Sequence, residues 1–187
     1  ASSASKCLSD PAETSRIRRL NLFRTGIMSS TRKPIGISGL AAYVPPYRVW
    51  LEDWCEWTGN HWPKTREVVG RSFRLRGPDQ SVYTLAATAV MRLIEQYEID
   101  PSRVKFLALG TESSTDNSAG AIIVKGMVDR ALVARGMPPL SRRCEVPEFK
   151  HACLGGVYGT KGAIRHLALD GAGSQAIVVC ADIAEYA

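Results

Sequence analysis

The chain has 187 residues, 45% of them hydrophobic, and a formal net charge of +6. Its length suits one well-buried α/β core. Its composition excludes a disordered or collagenous chain, and no stretch approaches the roughly 18 consecutive apolar residues of a membrane span. Residues 1–34 carry seven basic groups (Lys6, Arg16, Arg18, Arg19, Arg24, Arg32 and Lys33) against Asp10 and Glu13, leaving about +1 for the rest. With the folded part near neutral, no nucleic-acid partner is expected.

Five cysteines (Cys7, Cys55, Cys144, Cys153 and Cys180) form an odd, scattered set unlike a disulfide framework, and a reducing cytoplasm is expected. Residues 1–33 lack the apolar core of a secretory signal. Their Arg-rich stretch from Ser15 to Arg24 mimics a transit helix, but Met28-Ser29-Ser30-Thr31 reads as a natural start. Residues 1–33 are therefore expected to be a disordered or extraneous extension, and 34–187 the folded part.

Elements follow in chain order. The apolar, Gly-spaced run Ile35 to Val44, ended by Pro45-Pro46, predicts a first strand. Trp50, Trp54 and Trp57 recur at helical spacing and are expected to pack on the core. Val82, Leu85, Ala86, Ala89, Val90, Leu93, Ile94 and Tyr97 define one stripe of a helix from Ser81 to Glu98. Asp100-Pro101-Ser102 breaks it, and Val104 to Leu109 predicts a short buried strand. Ala119 to Arg135 is helical and apolar on more than one face, which predicts burial from two sides. Ser141 to Phe149 follows as a strand, Cys153 to Leu169 as a helix, and Gln175 to Ala181 as an apolar strand. This alternation predicts a mainly parallel sheet with helices packed on it. Because the chain stops just after a strand that reads as central, it is expected to be the first half of a larger fold.

The segment from Glu148 to Gly159 places Cys153 at a strand-to-helix turn and follows it with glycines. There a thiol meets the free N–H groups and positive end of the helix dipole, which favour the thiolate and can hold the oxyanion of a thioester under attack. Gly155, Gly156, Gly159 and Gly162 each cost about 1 kcal/mol relative to Ala in a helix, and close approach of another helix is the expected compensation. The run lacks the Gly-Lys-Ser/Thr order of a phosphate loop. Cys144, His151 and Cys153 lack zinc-like spacing, so no metal is expected. A second constellation, Leu109 to Asp116, sets Glu112 just past the carboxyl end of a strand, the edge where parallel sheets bind ligands. An isolated Glu there is more often a solvated loop residue, and a lone Cys more often packing.

Together Tyr43-Val44-Pro45, Gly110-Thr111-Glu112-Ser113, Ala152-Cys153-Leu154-Gly155-Gly156 and Ala181-Asp182-Ile183-Ala184-Glu185-Tyr186-Ala187 resemble, in order and spacing, the hydroxymethylglutaryl-CoA synthase family of the thiolase superfamily. The resemblance implies the N-terminal half of a thiolase-like α/β fold, a layered α-β-α architecture with a mixed, mainly parallel sheet. It implies that Cys153 is acetylated by acetyl-CoA. Glu112 then removes a proton from the acetyl methyl, and the carbanion adds to acetoacetyl-CoA. Asp182, Tyr186 and Gly155 match positions near the acyl site. CoA thioesters are then substrates, and no separate cofactor is expected. Leu154 stands where the family usually has an aromatic residue. The family's catalytic His and second oxyanion donor lie in the C-terminal half, so the chain is expected to be inactive alone and to pair, as a homodimer or with a complementary half. Two alternatives stay open: a β-branching synthase fed by carrier-protein thioesters, and a non-catalytic partner subunit.

Overall fold

Ser81 opens the most regular part of the chain. Its hydroxyl accepts the Thr84 N–H while the Thr84 hydroxyl accepts the Ser81 N–H, which satisfies two donors a helix start would otherwise leave orphaned. Helix α3 (Val82–Gln96) follows, and buries Val82, Leu85, Ala86, Ala87, Val90, Met91 and Ile94 along its core-facing side. The computed structural model describes residues 34–184. The expected extension, residues 1–33, lies outside the described residues.

After a 3₁₀ turn at Pro101–Arg103, strand β3 (Val104–Gly110) is buried at every position except Lys105. It is the middle strand of a parallel sheet in the order β4-β3-β5, with β4 (Glu148–Phe149) and β5 (Gln175–Cys180) at its sides. A register irregularity between Val104 and Phe106 fixes which residues face which layer. Leu107, Leu109, Ile177 and Val179 join α3 and helix α4 (Gly120–Ala134) in the main core, while Phe106, Ala108, Ala176 and Val178 face helix α5 (Gly155–Ala168). Helices thus cover both faces, as a parallel sheet requires. Each buried Leu, Ile or Val contributes about 1.5–3 kcal/mol.

The glycines of α5 have a different neighbour from the one expected. A Cβ on Gly159 would lie 3.0 Å from Val178 Cγ1 and 3.3 Å from Ala108 Cβ, and one on Gly162 would lie 3.2 Å from the Phe106 ring. The close approach is helix to sheet rather than helix to helix. It lets α5 sit low enough to touch the backbone of β3.

A separate two-stranded ribbon pairs β1 (Tyr47–Trp50) antiparallel with β2 (Ser72–Leu75). Helices α1 (Leu51–Thr58) and α2 (Trp62–Val68) lie between them in sequence. The tryptophan pattern does not form the expected core face. Trp50 ends β1, Trp57 is 73% exposed, and the residues α1 buries are Leu51 and Cys55. Trp54 meets the Phe73 ring edge-on.

Three further expectations are corrected. Ile35 to Val44 forms no strand, and its Leu40 and Ala42 backbone groups bond the side chains of Arg92 in α3 and Tyr97 just past it rather than a sheet edge. Leu40 N–H and C=O both bond the Tyr97 hydroxyl, Arg92 bonds the Ala42 carbonyl, and Ile37 and Leu40 stay exposed. Most of Ser141 to Phe149 is irregular, meeting β3 through a single bridge at Glu145 before the two residues of β4. Helix α4 buries one stripe, Ala121, Val124, Val128 and Leu132, and leaves Ile122 and Val133 exposed. No helix among the described residues is long and apolar enough to cross a membrane.

Candidate active site

The carboxyl ends of the three parallel strands converge. Beyond β4 the chain turns sharply through Lys150–Leu154 into α5, and Ala152 takes φ 45°, a left-handed conformation uncommon for a residue with a Cβ. Strain of this kind collects at functional turns. Leu154 N–H bonds the His151 carbonyl and Gly155 N–H the Ala152 carbonyl, so Cys153 is presented at the apex. It is exposed and lies two residues ahead of the first helical residue. No side chain caps α5, and Cys153 stands at the end of that helix where the dipole is positive. His151 does not bond Cys153 through its ring, which packs edge-on against Tyr158 at 4.9 Å between centroids.

Glu112 follows β3. The Cys153 thiol donates to Glu112 Oε1 across 3.7 Å, joining residues 41 apart in sequence. Beyond β5, Asp182 Oδ1 accepts from Glu112 N–H at 2.6 Å, Ser113 N–H at 3.1 Å, Ser113 Oγ at 2.9 Å and Thr111 Oγ1 at 3.1 Å. Ser113 Oγ in turn accepts the Ile183 N–H. One carboxylate therefore fixes the backbone on which Glu112 rides, and charge-assisted bonds of this type are stronger than neutral ones. A cleft of about 700 Å³ is lined by Arg76, Gln80, Tyr83, Glu112, Asp182 and Ile183. Cys153 does not line it; Glu112 belongs to both the cleft and the thiol contact.

Gly155 is buried beneath this arrangement. A Cβ there would lie 2.6 Å from the Phe149 carbonyl oxygen and 3.0 Å from Gly110 Cα, so the absence of a side chain serves helix–strand contact. Tyr186 lies outside the described residues. Sequence reasoning gave no role to Ser113, Ser114, Tyr83 or Glu148, all of which hold the Glu112 loop. The Tyr83 hydroxyl bonds the Asp116 carboxylate and accepts the Thr115 N–H, and Ser114 Oγ bonds Glu148. The signal was faint. Ser118 looks like a helix cap but sits at φ 62°, and α4 is left without a side-chain cap of its own.

The other described thiols are poor competitors as nucleophiles. Cys55 is buried, burial pushes Cys144 up to about 11, and burial followed by the Asp182 charge pushes Cys180 up. At pH 8 and limiting iodoacetamide, Cys153 is expected to label first among these four, as read by peptide mapping. Faster labelling of Cys144 or Cys180 would contradict the geometry.

A layered α-β-α core in which a cysteine follows one strand of a parallel sheet and a glutamate the next defines a thiolase-like fold. Structures of that class align with the chain. MvaS in complex with 3-hydroxy-3-methylglutaryl coenzyme A matches with a TM-score of 0.71 at 37% identity, over 81% of this chain and 35% of that one. A priming β-ketosynthase of the R1128 polyketide pathway matches in fold alone, with a TM-score of 0.61 at 19% identity, over 77% of this chain and 40% of that one.

The chain belongs to the hydroxymethylglutaryl-coenzyme A synthase family, whose N-terminal profile matches residues 31–187. The synthase of Enterococcus faecalis is 31% identical over 153 residues, covering 81% of this chain and 37% of that protein. The synthase of Schizosaccharomyces pombe is 32% identical over 164 residues, covering 86% and 34%. The chain thus spans about a third of the length of these relatives.

Proposed function

We propose that the chain carries the acyl-transfer and proton-abstraction groups of a hydroxymethylglutaryl-CoA synthase. The observation that supports this most directly is the 3.7 Å contact between Cys153 Sγ and Glu112 Oε1 at the carboxyl ends of adjacent parallel strands. The Cys153 thiolate attacks the acetyl carbonyl of the donor thioester, and the donor thiolate leaves and takes up a proton. The first-turn N–H groups of α5 face the charge that develops on the carbonyl oxygen. Glu112 then takes a proton from the methyl of acetyl-Cys153, and the resulting carbon nucleophile adds to the ketone of acetoacetyl-CoA. Water cleaves the remaining Cys153 thioester and releases the product. Asp182 acts on this chemistry through the Glu112 backbone. We place the His that serves as acid and the second oxyanion donor in the remaining length of fold that the relatives carry.

The donor is tested on the chain joined to the remaining length of fold that its relatives carry, by offering acetyl-CoA and an acetylated carrier protein in parallel and measuring the mass of the Cys153 peptide. Acetyl on Cys153 from acetyl-CoA is expected. Transfer from the carrier protein alone would reassign the chain to β-branching chemistry, and transfer from neither would favour a non-catalytic subunit.

A further inference from the structure

We infer that Glu148 is a positioning residue that holds the Glu112 loop against Cys153 from the same strand that presents the thiol. The inference rests on the pairing of Cys153 with Glu112 proposed above. Glu148 lies in β4, in register with Leu109 of β3, and both its carboxylate oxygens are used. One bonds the hydroxyl of Ser114, which is 6% exposed and lies two residues beyond Glu112. The other accepts the Ala121 N–H at 3.3 Å, in the first turn of α4. The N-cap residue of that helix, Ala119, offers no side-chain cap, so Glu148 supplies both the missing acceptor and a negative charge at the positive end of the helix dipole.

The space is built for this carboxylate. A Cβ on Gly120 would lie 2.8 Å from Glu148 Oε2. The loop from Thr111 to Ala119 is thereby tied at its middle and at its far end by one side chain, while Asp182 ties its near end. Lys150, also beyond β4, bonds the Asp116 carbonyl at 3.0 Å. Nucleophile and base are consequently referenced to one strand: a shift of β4 carries Cys153 and, through Glu148, the Glu112 loop with it.

The test reads the electrostatics around Cys153 in the full 187-residue chain and needs no turnover. Cys153 is alkylated with anionic iodoacetate and with neutral iodoacetamide, and the ratio of the two rates is followed by peptide mapping. A carboxylate at 3.7 Å repels the anionic reagent. Glu112→Gln is therefore expected to raise the ratio about threefold to fivefold. Glu148→Ala, confirmed as folded by circular dichroism, is expected to raise it in the same direction by releasing the loop, and the double variant is expected to rise no further than Glu112→Gln alone. An unchanged ratio in folded Glu148→Ala, or additive effects in the double variant, overturns the proposal. An unchanged ratio in Glu112→Gln removes the Cys153–Glu112 contact, and with it both this inference and the division of roles. Should Glu148→Ala not fold, Ser114→Ala severs the loop arm and leaves the helix cap. It is expected to give a smaller rise that vanishes in the Glu112→Gln background, and no rise overturns the proposal.

Discussion

Replacing Glu112 by Gln is expected to leave acetyl transfer to Cys153 in place while condensation falls by about 10² to 10⁴, the usual worth of a positioned general base. The chain is joined for this purpose to the remaining length of fold that its relatives carry. Forming the acyl thioester requires a thiolate and oxyanion donors, whereas making a carbon nucleophile from an acetyl group requires a base for a weakly acidic proton. Gln keeps the shape of Glu112 and the backbone bond to Asp182, since that bond comes from the Glu112 N–H. Cys153→Ala should abolish both steps. The measurement is radiolabel retained on protein from acetyl-CoA, set beside product formation. The thiol already donates to Glu112 in the structure, so the result is a sharp one. Loss of acetylation in folded Glu112→Gln, as complete as in Cys153→Ala, would make Glu112 the base that activates the thiol as well.

The largest expected effect on stability comes from a residue with no chemistry. A Cβ added to Gly110 would lie 2.5 Å from the Gly156 nitrogen and 2.6 Å from the Gly155 carbonyl carbon. These are backbone atoms of a helix already seated on the sheet and cannot turn aside as a side chain can. Gly110→Ala is expected to cost about 3 kcal/mol or more, beyond ordinary overpacking. The check is the midpoint of urea unfolding, with Gly126→Ala as the control. Gly126 is an exposed position in α4 with nothing within 4 Å of its Cβ site, and Ala there should stabilise by about 0.5–1 kcal/mol. Equal midpoints for the two variants would show that α5 can lift off β3 at little cost.

What could be read from the sequence follows from what is local. The α3 stripe was legible because Val82, Leu85, Ala86, Val90 and Ile94 repeat at the helical period and all are buried. The apolar run Val104 to Leu109 was legible because a strand covered on both faces is apolar throughout. Cys153 and Glu112 stood in legible motifs, but of the strands expected before them the one ahead of Glu112 formed at its expected place and the one ahead of Cys153 shrank to the two residues of β4. Periodicity gave no access to pairings that depend on another element. Ile35 to Val44 has a strand's composition, yet its hydrogen bonds go to Tyr97 and Arg92. Trp50 and Trp57 share a helical spacing that the end of β1 cuts across. The need for Gly155 lies in the Phe149 carbonyl it rests on, and the use of Asp182 in the amides it gathers; neither is visible from spacing.

The convergence of the three strand ends also makes the site a late product of folding. Cys153 and Glu112 are 41 residues apart, and Asp182 lies 71 residues from Thr111. Cys153 meets Glu112 once the connection from β3 to β4 has closed, and Asp182 joins them when the connection to β5 has closed as well. Such contacts carry the loop-closure entropy that slows folding. Side-chain direction alternates along a strand, so a slip of β5 by one residue against β3 would turn Asp182 to the opposite face and free the Glu112 and Ser113 amides. A thiol that senses the Glu112 carboxylate is therefore found only in molecules whose strands have joined in the right frame, and Cys153 reports on the correctness of the chain's own assembly.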